Sequence, residues 1–121
     1  MNIRRPRLYY SRVLENACQR AADQFPVLMI TGPRQVGKTS LLDHLREPKR
    51  TYVTLDDMNL RGLAKSDPAL FLQRFPLPVL IDEIQYAPEL FPAIKLLVDK
   101  DPIPGSVWLT GSQSFPLMKG I

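Results

Sequence analysis

Gly32-Pro33-Arg34-Gln35-Val36-Gly37-Lys38-Thr39 decides the fold class of this 121-residue chain. The stretch fits G-x-x-x-x-G-K-[ST], the pattern of a phosphate-binding loop. An apolar run, Val27-Leu28-Met29-Ile30, precedes it and reads as a buried strand. Ser40 to Glu47 follows with helical spacing. The residue types have a physical cause. Glycines let the backbone fold tightly, so that its N–H groups turn inward on an anion. The N-terminus of the following helix adds the positive end of a dipole. Lys38 would reach the β/γ-phosphates, and the Thr39 hydroxyl would hold Mg²⁺. The expected nucleotide contacts run from Gly32 through Ser40. Arg34 would touch a phosphate, touch a neighbouring subunit or point to solvent. A Gly-rich turn that binds nothing is the bland alternative for the whole loop.

A second stretch strengthens the first. Pro78-Val79-Leu80-Ile81-Asp82-Glu83 is an apolar strand ending in two acids. A carboxylate at the carboxyl end of a strand, here Asp82, holds Mg²⁺ through its water shell. The next acid, Glu83, can orient the attacking water as a general base. Acidic residues after strands are common, so the pair alone means little. Its weight comes from Lys38 and Thr39 upstream. Two such motifs on separate parallel strands, facing one sheet edge, make a single magnesium–triphosphate site.

Composition bounds the reading. The chain is long enough for one domain. It is 45% hydrophobic and 23% charged, ordinary for a globular protein. No apolar run approaches the roughly 20 residues that span a bilayer. Met1 to Arg7 carries three arginines and lacks the apolar core of a secretion signal. The one cysteine, Cys18, excludes an internal disulfide and a cysteine metal cluster, and fits a reducing cytoplasm. The one histidine, His44, is poor material for a metal site and reads as a surface or helix-packing residue. The net charge of +4 permits nucleic-acid contact without demanding it. Its excess lies early, in Arg4, Arg5, Arg7 and Arg12, which reads as a solvated, partly disordered lead-in, as a contact with nucleic acid or as a contact with a missing partner or domain. No aromatic residues interleave with basic ones as in a single-strand platform.

The rest of the chain alternates. Residues from about Tyr9 to Phe25 read as a helix, with Leu14, Ala17, Cys18 and Ala21 on one face. Pro26 closes it. Thr51 to Leu55 reads as a second strand. A short helix is expected from about Met58 to Lys65. Another follows to about Arg74, capped by Ser66 or Asp67 with Pro68 in its first turn. Leu77 to Asp82 is the third strand. Pro88 opens a helix through about Lys100, and Ser106 to Thr110 is the fourth strand. Strands alternating with helices predict an α/β fold, a parallel sheet covered on both faces. Such sheets bind ligands at the carboxyl ends of their strands. All four ends carry polar groups: the phosphate loop, Asp56-Asp57, Asp82-Glu83 and Ser112-Gln113. Asp56 and Asp57 would either join the metal's outer shell or cap the following helix. Thr110-Gly111-Ser112-Gln113 would either place a hydroxyl or amide near the γ-phosphate or simply reverse the chain.

Taken together, the phosphate loop, Tyr52-Val53-Thr54-Leu55-Asp56-Asp57, Ile81-Asp82-Glu83-Ile84-Gln85, Ala87-Pro88-Glu89-Leu90 and Leu109-Thr110-Gly111-Ser112-Gln113 form one set of blocks. They resemble the AAA-type P-loop ATPases of bacteria and archaea that carry a C-terminal domain of unknown function. The likeness runs from Arg5 to Lys119. It implies a protein that binds ATP with Mg²⁺ and can hydrolyse it. Gly37, Lys38 and Thr39 match the phosphate-binding positions and Asp82 the magnesium acid. Glu83 matches the catalytic base, and Ser112 or Gln113 the polar sensor after the fourth strand.

Members of that family continue into a fifth core strand, a lid and the C-terminal domain, whereas this sequence stops at Ile121. The expected architecture is therefore a three-layer P-loop NTPase sheet, mostly parallel, of about four core strands. Residues 1–25 would be a helical lead-in and 26–121 a partial ATPase domain. The absent fifth strand would expose the first strand as an edge, which favours self-association. Arginines of the lid or of a neighbouring subunit, worth roughly 10³–10⁵ in rate, are unaccounted for. A truncated ATPase core is one expectation, and a nucleotide-binding remnant or interaction module without turnover is the other. A GTPase would need an Asn-Lys-x-Asp segment, which is absent. A small-molecule kinase would need an arginine-rich lid, for which little chain remains.

Overall fold

The computed structural model describes the backbone of residues 4–32 and 38–112, and the side chains of 12–32 and 42–112. In chain order the elements are α1 (Arg4–Gln24), β1 (Val27–Gly32), α2 (Lys38–Leu45), β2 (Thr51–Thr54), α3 (Met58–Ser66) and α4 (Pro68–Arg74). There follow β3 (Val79–Asp82), a 3-10 turn (Ile84–Tyr86), α5 (Leu90–Lys100) and β4 (Val107–Ser112). The strands form one parallel sheet in the order β1-β4-β3-β2. Sequence-adjacent β1 and β2 therefore stand at opposite edges of the described sheet.

Helix placement follows from that order. The chain crosses from β1 to β2 with α2 on one face. It then steps back through β3 to β4, using α3, α4 and α5. Crossovers between parallel strands keep one hand, so reversing direction puts the later helices on the opposite face. The apolar residues sort accordingly. Leu28, Leu80 and Trp108 are buried with Cys18 and Ala22 of α1 and Leu42 of α2. Val79, Ile81, Val107 and Leu109 are buried with Phe71 of α4 and Ile94 of α5. Alternate residues of each strand face opposite sides, so the central strands are apolar on both faces. Full burial of Phe71, Leu80 or Leu109 contributes about 1.5–3 kcal/mol each.

Local signals set the boundaries. The Asp57 carboxylate accepts from the backbone N–H groups of Asn59 and Leu60, capping α3. Asp67 caps α4 by accepting from Leu70 N–H, with Pro68 at the first helical position. Each such cap is worth about 1 kcal/mol. The helix expected from Tyr9 begins at Arg4 instead, so the arginine-rich lead-in is helical rather than partly disordered. Pro6 lies in the first turn, where a missing N–H costs nothing. The expected helix from Pro88 starts at Leu90, and the third strand at Val79 rather than Leu77. β4 runs on through Gly111 and Ser112, residues expected to follow the strand.

At the amino ends of the strands one side chain ties the sheet together. Arg50, only 4% exposed, donates to the carbonyls of Val79 (3.2 Å), Ser106 (3.3 Å) and Gly105. It also donates to the Glu47 carboxylate (2.8 and 3.3 Å). Its guanidinium lies 3.8 Å from the centre of the Trp108 ring. The hydrogen bond from Arg50 holds the Glu47 carboxyl below its ordinary value. Gly105 shapes this end: its φ is 70°, and a Cβ there would meet the Ala22 carbonyl at 3.0 Å. Only glycine lets the turn come this close to α1.

Candidate functional site

The carboxyl ends of the strands gather the polar residues. Strand register decides which of them share a face. Tyr52 stands beside Leu80 and Thr54 beside Asp82. Leu80 stands beside Trp108, and Gly32 beside Ser112. Tyr52, Thr54, Asp82, Thr110 and Ser112 therefore lie on the face of Leu80 and Trp108. That is the face covered by α2, which begins at Lys38. The acid that ends β3 and the helix that follows the phosphate loop are thus on one side of the sheet.

Asp82 is 6% exposed and held through both oxygens. Thr110 Oγ1 donates to Oδ1 in a short hydrogen bond. Tyr52 OH (3.1 Å) and Thr54 Oγ1 (3.2 Å) donate to Oδ2. Burial of the phenol, and then the adjacent Asp82 carboxylate, push the Tyr52 hydroxyl up to about 12. Hydroxyl donors from β2 and β4 thus fix the carboxylate between two neighbouring strands.

Glu83 is held differently. Its backbone is left-handed (φ 62°, ψ 51°), and it is the one non-glycine with positive φ among the described residues. Such a conformation costs on the order of 1–3 kcal/mol and persists where surrounding contacts over-determine it. The contacts are present. Glu83 N–H donates to Thr110 Oγ1 (3.0 Å), the same hydroxyl that serves Asp82. Its carboxylate, 4% exposed, accepts at Oε1 from Gln85 Nε2 (2.6 Å) and Ser112 Oγ (3.0 Å). Gln85 Oε1 in turn accepts from Ser112 N–H (3.2 Å). The left-handed residue directly follows the last residue of β3, so the strand ends at Asp82.

Asp56, Asp82 and Glu83 each bring a carboxylate oxygen within 4.8 Å of the others. An all-oxygen, anionic donor set fits a hard divalent cation such as Mg²⁺ rather than a thiolate- or imidazole-seeking metal. The paired acids after β2 have separate roles: Asp56 joins this cluster, whereas Asp57 caps α3. His44 lies exposed, 3.7 Å from the Glu15 carboxylate and outside the cluster.

Of the residues expected in the site, Gly32, Asp82, Glu83 and Ser112 converge on this edge. Lys38, Thr39 and Ser40 occupy the first turn of α2, their side chains outside the described residues, as are Pro33, Arg34, Gln35, Val36, Gly37 and Gln113. Tyr52, Thr54 and Gln85 were not singled out as site residues from the sequence. Their signal was the register: polar residues two apart in β2, and an amide two residues beyond Glu83.

A family model described as AAA domain matches residues 24–121. Two mycobacterial proteins are similar over 98 residues at 38% identity: the uncharacterized protein Mb2031c of Mycobacterium bovis and the uncharacterized protein Rv2008c of Mycobacterium tuberculosis. The matched region is 79% of this chain and 22% of each relative, so the chain spans under a quarter of their length. No solved structure matches it. No described helix is long and apolar enough to cross a membrane.

Proposed function

This chain belongs to the AAA domain family, and from that premise we propose that it binds ATP with Mg²⁺ at the carboxyl edge of its sheet and hydrolyses it. Family membership implies P-loop nucleotide binding in general. The choice of ATP, the metal and the reaction are our reading. The observation that carries it is the contrast between adjacent acids: Asp82 fixed by hydroxyls from two strands, Glu83 set on a left-handed backbone and held by Gln85 and Ser112. Two neighbouring carboxylates in unlike settings suit unlike tasks.

In this reading the loop from Gly32 through Gly37, with Lys38 and Ser40, cradles the phosphates. Thr39 and Asp82 would hold Mg²⁺, which when bound would neutralise phosphate charge. Glu83 accepts a proton from a water whose oxygen attacks the γ-phosphorus. The bond from that phosphorus to the bridging oxygen breaks, and ADP leaves with the electron pair. Ser112 and Gln113 sense the γ-phosphate. Use of ATP and a free Cys18 fit a cytoplasmic protein, and β1 at the edge of the described sheet favours self-association.

The test is a titration with a fluorescent ATP analogue, with and without Mg²⁺, beside Lys38→Ala. Mg²⁺-dependent binding that vanishes in Lys38→Ala is expected, with phosphate release that Glu83→Gln abolishes. Binding with identical trace release in both Glu83 forms would leave a nucleotide-binding module without turnover. No binding by folded protein would sink the reading.

A further inference from the structure

We infer that Gln85 is a positioning residue, which locks the Glu83 carboxylate to the end of β4 so that base and sensor strand move as one unit. The inference rests on the hydrolytic role proposed for Glu83 and adds a residue to it. Gln85 uses both ends of its amide. Nε2 donates to Glu83 Oε1 at 2.6 Å, and Oε1 accepts from Ser112 N–H at 3.2 Å. Ser112 Oγ closes the ring by donating to the same carboxylate oxygen at 3.0 Å, and lies 3.2 Å from Gln85 Nε2. No other glutamine-like side chain among the described residues bridges a carboxylate and a strand in this way.

The placement gives the ring its meaning. Ser112 pairs in register with Gly32, the first residue of the phosphate loop. One strand pair therefore links Gly32 to Ser112. From Ser112 the amide of Gln85 continues that link to Glu83. The 3-10 turn Ile84–Tyr86 holds Gln85 while its neighbour Ile84 is fully buried in the core. The turn is thus anchored on one side and free to present its amide on the other. A glutamate in a left-handed backbone has no help from strand geometry in aiming its side chain. The ring supplies that aim. No additional bond is made or broken; Gln85 acts only by fixing where the proton acceptor stands.

Gln85→Met keeps the side-chain length and removes both hydrogen bonds. We expect its affinity for the fluorescent ATP analogue to stay within threefold of wild type. Its kcat should fall about 10- to 100-fold at unchanged KM, as positional errors of this kind do. A role in stability alone would lower the melting temperature and raise the dissociation constant together. The second arm places Gln85→Met in the Glu83→Gln background, where it should cost nothing more, because residues acting through one another are not additive. Gln85→Leu is a backup should Gln85→Met not fold, with the same expected split of kcat from KM. Hydrolysis that depends on Glu83 but is unmoved by Gln85→Met overturns the inference alone, as does a further loss in the double variant. A wild type that binds ATP without Glu83-dependent hydrolysis overturns the inference and the proposed reaction together.

Discussion

The two edges of the sheet are built on opposite principles. At the amino edge a cation, Arg50, meets mainly backbone: three carbonyls, one carboxylate and an indole face. At the carboxyl edge anions, Asp82 and Glu83, meet side chains: Tyr52, Thr54, Thr110, Gln85 and Ser112. Backbone carbonyls at strand starts cannot move without unfolding the sheet, so the Arg50 cluster is closed and static. Hydroxyls and amides can rotate to new partners at the cost of one torsion. The difference teaches where the molecule keeps its adjustable chemistry. One edge spends its polar groups on holding strands together, and the other keeps carboxylates, with Tyr52 and Ser112 still partly exposed, where a ligand can join them.

The sharpest way to break this comparison is to exchange the expected consequences. Glu83→Gln should reduce phosphate release about 10²- to 10⁴-fold, the range for removing a general base, with little change in melting temperature. A Glu83 variant that unfolds the protein while sparing turnover would invert the assignment. Next in size, Arg50→Met removes the side chain that joins the Val79, Ser106 and Gly105 carbonyls and should cost about 1–3 kcal/mol in urea unfolding. Its nucleotide affinity should stay at the wild-type value wherever the variant is folded. An unchanged urea midpoint would mean that the amino edge is held by strand pairing alone.

Thr110→Val probes the seam between structure and chemistry. One hydroxyl there serves Asp82 and the Glu83 N–H. Its loss should cost about 1–3 kcal/mol in stability, the range for stranding a buried polar group, and should lower turnover too. A loss in only one of the two would separate the roles that the geometry joins. The smallest effect is expected from Tyr52. Its proton is held more tightly in the fold than in the unfolded chain, since its hydroxyl titrates at about 12 rather than 10. That contribution is complete below pH 10 and is lost as pH rises toward 12. Alkaline unfolding of Tyr52→Phe should therefore be less steep over that window. A phenolate absorbance for Tyr52 rising already near pH 10 would remove the basis for this expectation. At the acid end, Glu47 works in the opposite sense: its lowered carboxyl stabilises the amino edge above the ordinary carboxylate range, and this is lost as pH falls.

Periodicity made the order of elements legible, because strands of apolar residues and helices with capping acids announce themselves locally. The carboxyl ends of the strands, and with them Asp82, Glu83 and Ser112, follow from parallel topology alone. Arg50 did not. An arginine two residues after a proline reads as solvated turn, and its burial depends on carbonyls 29 and 56 positions away. Tyr52 and Thr54 escaped for a related reason. Their partner Asp82 is fixed by the register of β2 against β3, which local pattern does not encode. The two acids after β2 look alike in sequence, yet one turn of backbone separates a helix cap from a carboxylate cluster. The α1 start was misjudged because a proline and three arginines look like a break, although proline in a first turn is harmless.

The order β1-β4-β3-β2 has a consequence for how the protein is made. β1 emerges early from the ribosome, yet its described partner is β4, which ends at Ser112. At about 5–20 residues per second, roughly 4–15 s of synthesis pass between them. Throughout that interval Val27–Gly32 lacks its described partner. β2 and β3 are the first neighbouring strands of the described sheet to be complete, so Asp82 is synthesised beside its β2 partners before β4 emerges. A nascent chain arrested before β4 would carry Val27–Gly32 as an apolar strand without its described partner, open to chaperones.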